Sequence, residues 1–124
     1  MAVAFGVAVG GAVGALSRYG LDTWIERRSE TPFPLSTFVI NVSGCFAVGF
    51  IIAALVDRHR APLWLRMGLV IGFCGGYTTF STFAQETLDL VETRDLAIAF
   101  ATVAASVLLG VSAVLIGVRV GRLV

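Results

Sequence analysis

The sequence has very few charged groups, and their scarcity excludes most soluble folds. Charged residues make up 14% of its 124 residues, hydrophobic residues make up 57%, and the mean hydropathy is +0.92. A soluble domain of this size needs a polar shell, which this composition does not supply. The sequence therefore predicts an integral membrane protein.

Metal-binding and catalytic residue types are equally sparse. The chain has one histidine, His59, and two cysteines, Cys45 and Cys74. These residues do not form the clusters that bind transition metals or carry out hydrolysis, so we expect no enzyme. His59 lies in a predicted loop, where we expect it to be solvated. We interpret the two cysteines as small packing residues inside predicted spans.

Four uncharged runs make up most of the chain, at residues 1–17, 32–56, 67–85 and 96–118. A bilayer core about 30 Å thick is crossed by ~20 helical residues. The runs are apolar on every side, unlike the alternating strands of a membrane β-barrel. We therefore predict an all-α membrane protein in one domain, residues 1–124, with transmembrane helices at about residues 2–20, 34–56, 67–88 and 96–118.

The chain has no lysine, and its nine arginines divide almost equally between the two sides of the predicted bundle. One side carries Arg58, Arg60, Arg66, Arg119 and Arg122, and the other carries Arg18, Arg27, Arg28 and Arg94. A single orientation is normally enforced by a clear excess of positive charge on the cytoplasmic side. The small difference indicates insertion in both orientations, and four short helices need a second copy to enclose a pathway.

The first span carries Gly6, Gly10 and Gly14 at four-residue intervals. Because lipid supplies no hydrophobic drive for helix association, small residues at this spacing are typical of close helix–helix contacts. The pattern predicts that this face of the first helix packs against another helix.

The third span contains an unusual centre, in which Gly75 and Gly76 precede the run YTTFSTF at residues 77–83. These hydroxyl, β-branched and aromatic residues have low helix propensity. The glycines lie near the midpoint of the uncharged run, so we predict a helix broken near the bilayer midplane. Backbone groups freed by such a break form ion sites in transporters. A glycine-hinged helix whose hydroxyls bond to the preceding turn is the alternative.

Two other spans carry polar residues. Asn41 lies in the second span with Thr37 one turn earlier, and Thr102 and Ser106 share a face of the fourth. Interhelical hydrogen bonding is the simpler explanation for isolated threonines and serines. An asparagine at the membrane centre is more expensive to bury and more often functional. These residues therefore add to the evidence for an ion pathway.

The absence of a deep carboxylate favours an anion over a cation. Glu86, just past the third uncharged run, is the nearest acidic group. Hydroxyl and amide donors, together with the positive ring edges of Phe80 and Phe83, suit a small anion. A small multidrug-type exporter is the alternative, but it should carry a carboxylate in its first span. A non-transporting assembly subunit would leave Asn41 and residues 75–83 without a role.

Three motifs resemble those of the bacterial and archaeal fluoride channel family called Fluc or CrcB. They are residues 10–19 (GGAVGALSRY), 36–44 (STFVINVSG) and 72–83 (GFCGGYTTFSTF). Their order and spacing agree over essentially the whole chain. The resemblance implies passive export of cytoplasmic fluoride across the cell (inner or plasma) membrane. It also implies an antiparallel, dual-topology homodimer with two pores and no nucleic-acid partner. The choice of fluoride over chloride rests on this resemblance.

The resemblance also implies specific site residues. The pore residues are Asn41, Phe80, Phe83, Thr37, Ser106, Arg18, Thr82 and Glu86. A structural sodium ion on the two-fold axis would be bound by the backbone carbonyls of Gly75 and Thr78. A further serine is expected one turn after Ser106, where this chain has Gly110, and Ser112 lies on a different face.

Overall fold

The computed structural model describes residues 1–56 and 61–124, and within them every regular element is a helix. The helices are α1 (Ala2–Glu26), α2 (Leu35–Val56), α3 (residues 63–77), α4 (Phe80–Glu92) and α5 (Leu96–Gly121). The prediction of an all-α fold is therefore confirmed. His59, Arg58 and Arg60, whose loop position was predicted, lie outside the described residues.

Three of the described helices, α1, α2 and α5, are long and apolar enough to cross a bilayer. Spans of this kind make the chain a multi-pass membrane protein. α1 ends at Glu26, beyond the predicted boundary near residue 20. The helix continues through the charged residues Asp22 and Glu26 because nothing in that segment stops it, with neither proline nor a left-handed glycine present.

The predicted third span is interrupted, but not at the glycine pair. α3 begins as an α-helix at Leu63–Met67, widens to a π-helix over Gly68–Cys74 and returns to α-helix at Gly75–Tyr77. Two extended residues follow, Thr78 (φ −79°, ψ 158°) and Thr79 (φ −145°, ψ 117°), before α4 begins. A break in the predicted third span is therefore present, and it begins at Thr78, two residues after Gly76. The chain breaks where Thr79 can cap the next helix with its side chain, rather than where helix propensity is lowest.

Glycine contacts bring the helices together in two pairs. A Cβ atom on Gly10 or Gly14 of α1 would collide with backbone carbonyls of α3. This confirms the predicted helix–helix face and identifies α3 as its partner. In the same way, a Cβ atom on Gly117 of α5 would collide with the carbonyl of Phe46 in α2. The α1–α3 and α2–α5 pairs fix the walls of the groove described next.

Candidate functional site

The break between α3 and α4 borders a groove of about 460 Å³ whose other walls come from α2 and α5. Six predicted site residues line it: Asn41, Gly75, Thr78, Phe80, Phe83 and Ser106. Its remaining wall residues are Gly44, Cys45, Val48, Val70, Cys74, Thr79 and Val107. The fold thus brings residues from three separate predicted spans into one cavity.

The Asn41 side chain holds the broken backbone in place. Its Nδ2 atom donates to the carbonyl oxygen of Thr79 at 2.9 Å, and the Thr79 N–H donates to Asn41 Oδ1 at 2.8 Å. One N–H group and the oxygen of a primary amide are arranged like the N–H and C=O groups of a peptide. Asn41 therefore satisfies both backbone groups of a residue that has left the helix, as a neighbouring strand would in a sheet.

Hydrogen bonds at the break leave two backbone carbonyls without their usual helical partners. In a continuous helix, the Gly75 carbonyl would accept from Thr79 N–H and the Thr78 carbonyl from Thr82 N–H. Instead, Thr79 N–H donates to Asn41, and Thr82 N–H donates to Thr79 Oγ1 at 3.2 Å. Within the described residues, no other hydrogen bond reaches either carbonyl. Both carbonyl dipoles at the break are therefore available to a ligand.

Phe80 and Phe83 form an aromatic pair in the first turn of α4. Their ring centroids are 5.7 Å apart, with the planes tilted by 41°. Phe80 is 79% exposed in the single chain, whereas Phe83 is half-buried. Since the edge of an aromatic ring is electropositive, these rings can present edges to an anion in the groove. The hydroxyl of Ser106 lines the groove from α5.

Four predicted pore residues lie outside this groove. The Thr37 hydroxyl is almost completely buried and donates to Glu86 Oε1 at 2.9 Å. Glu86 itself lines a second cavity of about 520 Å³. Thr82 is exposed and accepts from the Thr79 hydroxyl at 3.0 Å. Arg18 is half-exposed on α1 and lines neither cavity.

Sequence reasoning overlooked one polar group at the site and left the roles of others incomplete. It assigned no role to Thr79, although a threonine before a helical run is a common N-cap signal. Thr102, which the sequence placed on the same face as Ser106, is 1% exposed, and its hydroxyl has no hydrogen-bond partner among the described residues. Cys45 and Cys74, interpreted as packing residues, both line the groove.

The helical face after Ser106 is also resolved. Gly110 is buried, and the nearest atom to a Cβ placed there is Cys45 Sγ at 3.5 Å. Ser112 lies on an exposed face, and its hydroxyl donates to the carbonyl of Leu108 in its own helix at 2.7 Å. Ser112 therefore does not replace the expected serine at position 110.

Known proteins match this chain over nearly its whole length. A family model described as "CrcB-like protein, Camphor Resistance (CrcB)" matches residues 5–118. A Solibacter usitatus protein named fluoride-specific ion channel FluC is 45% identical over 116 residues, covering 94% of this chain and 95% of the relative. A protein of the same name from Acidobacterium capsulatum is 45% identical over 118 residues, covering 94% of this chain and 93% of the relative. Another from Stutzerimonas stutzeri is 41% identical over 121 residues, covering 98% of each.

These matches agree with the motifs that suggested the resemblance and leave the multidrug-exporter alternative without support. The chain belongs to the CrcB-like family.

Proposed function

We propose that this chain is a channel through which cytoplasmic fluoride leaves the cell passively. The observation that carries the proposal is the groove beside the break, where Asn41, Ser106 and the Phe80–Phe83 pair meet. None of the groove residues in the described chain is an aspartate or glutamate. The relatives named fluoride-specific ion channels support the same conclusion.

The groove can replace part of fluoride's hydration shell with uncharged donors. The Asn41 amide has two N–H groups, and only one of them is used by the Thr79 carbonyl. The second N–H, the Ser106 hydroxyl and the edges of the two rings supply donors without fixed charge. A site of this kind binds an anion strongly enough to dehydrate it and weakly enough to release it.

We propose that α3 and α4 together form the third of four membrane crossings. α3 has 15 residues over 63–77 and α4 has 13. At about 1.5 Å per residue, the two helices placed end to end extend ~42 Å, which is more than the ~30 Å hydrocarbon core. This crossing differs from the other three because Thr78 and Thr79 interrupt it.

The working unit is an antiparallel homodimer with two pores. The near-equal arginine count supports insertion in both orientations. The break is also partly open to the surroundings in the single chain. Gly75 is exposed, and a Cβ placed on it meets no described residue beyond its own stretch of helix within 4 Å, while Phe80 is 79% exposed. A second copy packed against the break would supply the missing wall of each groove.

The break also suits the structural sodium ion expected on the two-fold axis. One chain offers the released carbonyls of Gly75 and Thr78, and a two-fold axis doubles these to four. Oxygen ligands are those preferred by hard cations, and no cluster of metal-binding side chains competes for the ion within the described residues. The bound ion would offset the carbonyl dipoles of the break.

Gly75 takes part in this site through its carbonyl and not through a special backbone conformation. It has φ −66° and ψ −35°, which any residue adopts in a helix. Backbone geometry therefore does not by itself exclude a β-branched residue at this position. Any effect of a side chain at this position should come from the packing of the second copy.

A growth assay tests the function. A bacterial strain made fluoride-sensitive by loss of its own fluoride export should grow on fluoride when it produces this chain. The Phe80→Ile variant, at equal expression, should not restore growth. If the parent chain inserts in the membrane and gives no protection, the proposed function is wrong.

The orientation of the chain is tested separately. A cysteine added after Val124, in a chain in which Cys45 and Cys74 are replaced by alanine, should react with an impermeant maleimide from both sides of the membrane. Labelling from one side only in all copies would contradict the antiparallel dimer.

A further inference from the structure

Both cysteines of the chain line the groove proposed as the ion path. Cys45 comes from α2 and Cys74 from α3, and both are free thiols. Cys45 is half-buried, whereas Cys74 is 4% exposed. Within the described residues, neither sulfur takes part in a hydrogen bond. Both thiols are polarisable groups whose reactivity includes metal binding, and both face one cavity.

The position of the Cys45 sulfur is set by a gap in α5. Gly110 is buried one turn after Ser106, and among the described residues outside its own stretch of α5, Cys45 Sγ at 3.5 Å is the nearest atom to the place where a Cβ would lie. The sulfur therefore lies against α5 next to the groove wall that carries Ser106. Asn41 is one turn before Cys45 on α2 and lines the same groove. The thiol thus belongs to the row of polar groups along the cavity.

We propose that the two thiols make the groove a binding site for soft, thiophilic cations such as Ag⁺, with Cys45 as the first ligand, and that a bound cation closes the ion path. This proposal rests on the proposed fluoride function. Sulfur ligands select soft cations over the hard cations that carbonyl oxygens bind. On binding, the Cys45 S–H bond breaks, an S–Ag bond forms and the proton passes to water. Cys74, on the facing helix, provides a second sulfur and strengthens the binding.

The test measures fluoride efflux in the presence of silver. Purified protein is reconstituted in liposomes loaded with potassium fluoride, and silver nitrate is added outside in chloride-free buffer, because silver fluoride is soluble and silver chloride is not. The parent, Cys45→Ala, Cys74→Ala and the double variant are compared, each relative to its own silver-free rate. Cys45→Ser, which is nearly isosteric and offers a hard oxygen, provides a second test if the alanine variant does not fold.

Silver should stop efflux through the parent. Loss of Cys45 should raise the half-inhibiting silver concentration at least ~10-fold, the lower bound for a metal site that loses even an outer partner. Loss of Cys74 should raise it by a smaller factor, and the double variant should be insensitive. Inhibition of the double variant at the parent's silver concentration, or an unchanged response in both Cys45 variants, would overturn the proposal.

Silver binding is also counted directly by native mass spectrometry of the detergent-solubilised protein. The parent should bind silver and the double variant should not. This count separates the two hypotheses because it does not depend on transport. Protein that binds silver through its thiols but passes no fluoride supports the thiol site and refutes the proposed function. Fluoride efflux combined with equal silver binding by parent and double variant refutes the thiol site alone.

Discussion

Replacing Asn41 by alanine removes the side chain that holds the α3–α4 break open. The parent amide makes two hydrogen bonds to Thr79, at 2.9 and 2.8 Å. After the substitution, the N–H and carbonyl of Thr79 have no partner in the extended conformation. Thr79 is 7% exposed, so water from outside the groove reaches it poorly.

The expected loss of stability follows from these two groups. An unsatisfied buried donor or acceptor costs about 1–3 kcal/mol, so the pair gives ~2–6 kcal/mol if the groove stays dry. Water entering the groove would move the value toward the lower end of that range. The chain can also recover one bond if Thr79 N–H returns to the Gly75 carbonyl, which continues the helix through the break. In that rearrangement the Gly75 carbonyl accepts a helical hydrogen bond again and is no longer available to the proposed sodium ion. The break closes, so fluoride efflux should fall even where the variant remains folded.

Unfolding in detergent, followed by circular dichroism, and fluoride efflux from liposomes measure the two effects. Ser112→Ala is the matched control, because the Ser112 hydroxyl donates only to Leu108 in its own helix and lies on an exposed face. Its stability should stay within about 0.5 kcal/mol of the parent. An Asn41→Ala protein with the stability and the efflux rate of the parent would refute the role assigned to the Asn41–Thr79 hydrogen bonds.

Three further predictions concern Phe80, the glycine pair at positions 75 and 76, and Thr37. Phe80→Ile keeps an apolar side chain but removes the ring quadrupole; because Phe80 is 79% exposed in the single chain, folding should survive while electrode-measured efflux falls. Gly76→Ala places a Cβ 2.6 Å from a carbonyl oxygen of α1 and should destabilise the chain by ~1–3 kcal/mol. Gly75→Ala meets no atom of the described single chain within 4 Å, so it should lower the thermal unfolding temperature less than Gly76→Ala does. Equal effects of the two substitutions would contradict the packing of α3 against α1. Thr37→Val removes the hydroxyl that donates to Glu86 at 2.9 Å. The free energy of unfolding should fall by about 1.5–3 kcal/mol, the value of a hydrogen bond to a charged group. An unchanged free energy of unfolding would show that this bond contributes nothing to stability.

Hydropathy and glycine spacing predicted much of the fold because they depend on local chemistry. The apolar runs became helices, and the glycines of α1 became a contact face. Low helix propensity in residues 75–83 predicted a break in the third span, but it did not predict the residue at which the helix breaks. The position of the break is instead decided by a distant residue, Asn41, and by the capping hydroxyl of Thr79. Asn41 and Thr79 lie far apart in the chain, so local helix propensity does not predict that they form hydrogen bonds with each other.

The hydrogen-bond partners of the site residues were likewise not predictable from local sequence features. Spacing places Thr37 and Asn41 one turn apart on α2, and both were predicted to line the pore. The structure directs Asn41 to the broken backbone and Thr37 to Glu86, beside a different cavity. A helical face can be predicted from spacing, whereas the partner of each side chain depends on how the helices pack. The dimer and the sodium ion remain predictions, because the packing within one chain does not determine how a second copy or an ion binds to it.

Passive, selective movement of fluoride through this protein is the central claim, and efflux from liposomes tests it most directly. Purified protein is reconstituted at low density in the vesicles, and anion release is followed with ion-selective electrodes after valinomycin allows potassium to leave. We predict rapid release of fluoride, negligible release of chloride, and no requirement for a proton gradient. Fluoride retained in the vesicles, chloride released as fast as fluoride, or release only when a proton gradient is imposed would contradict the account.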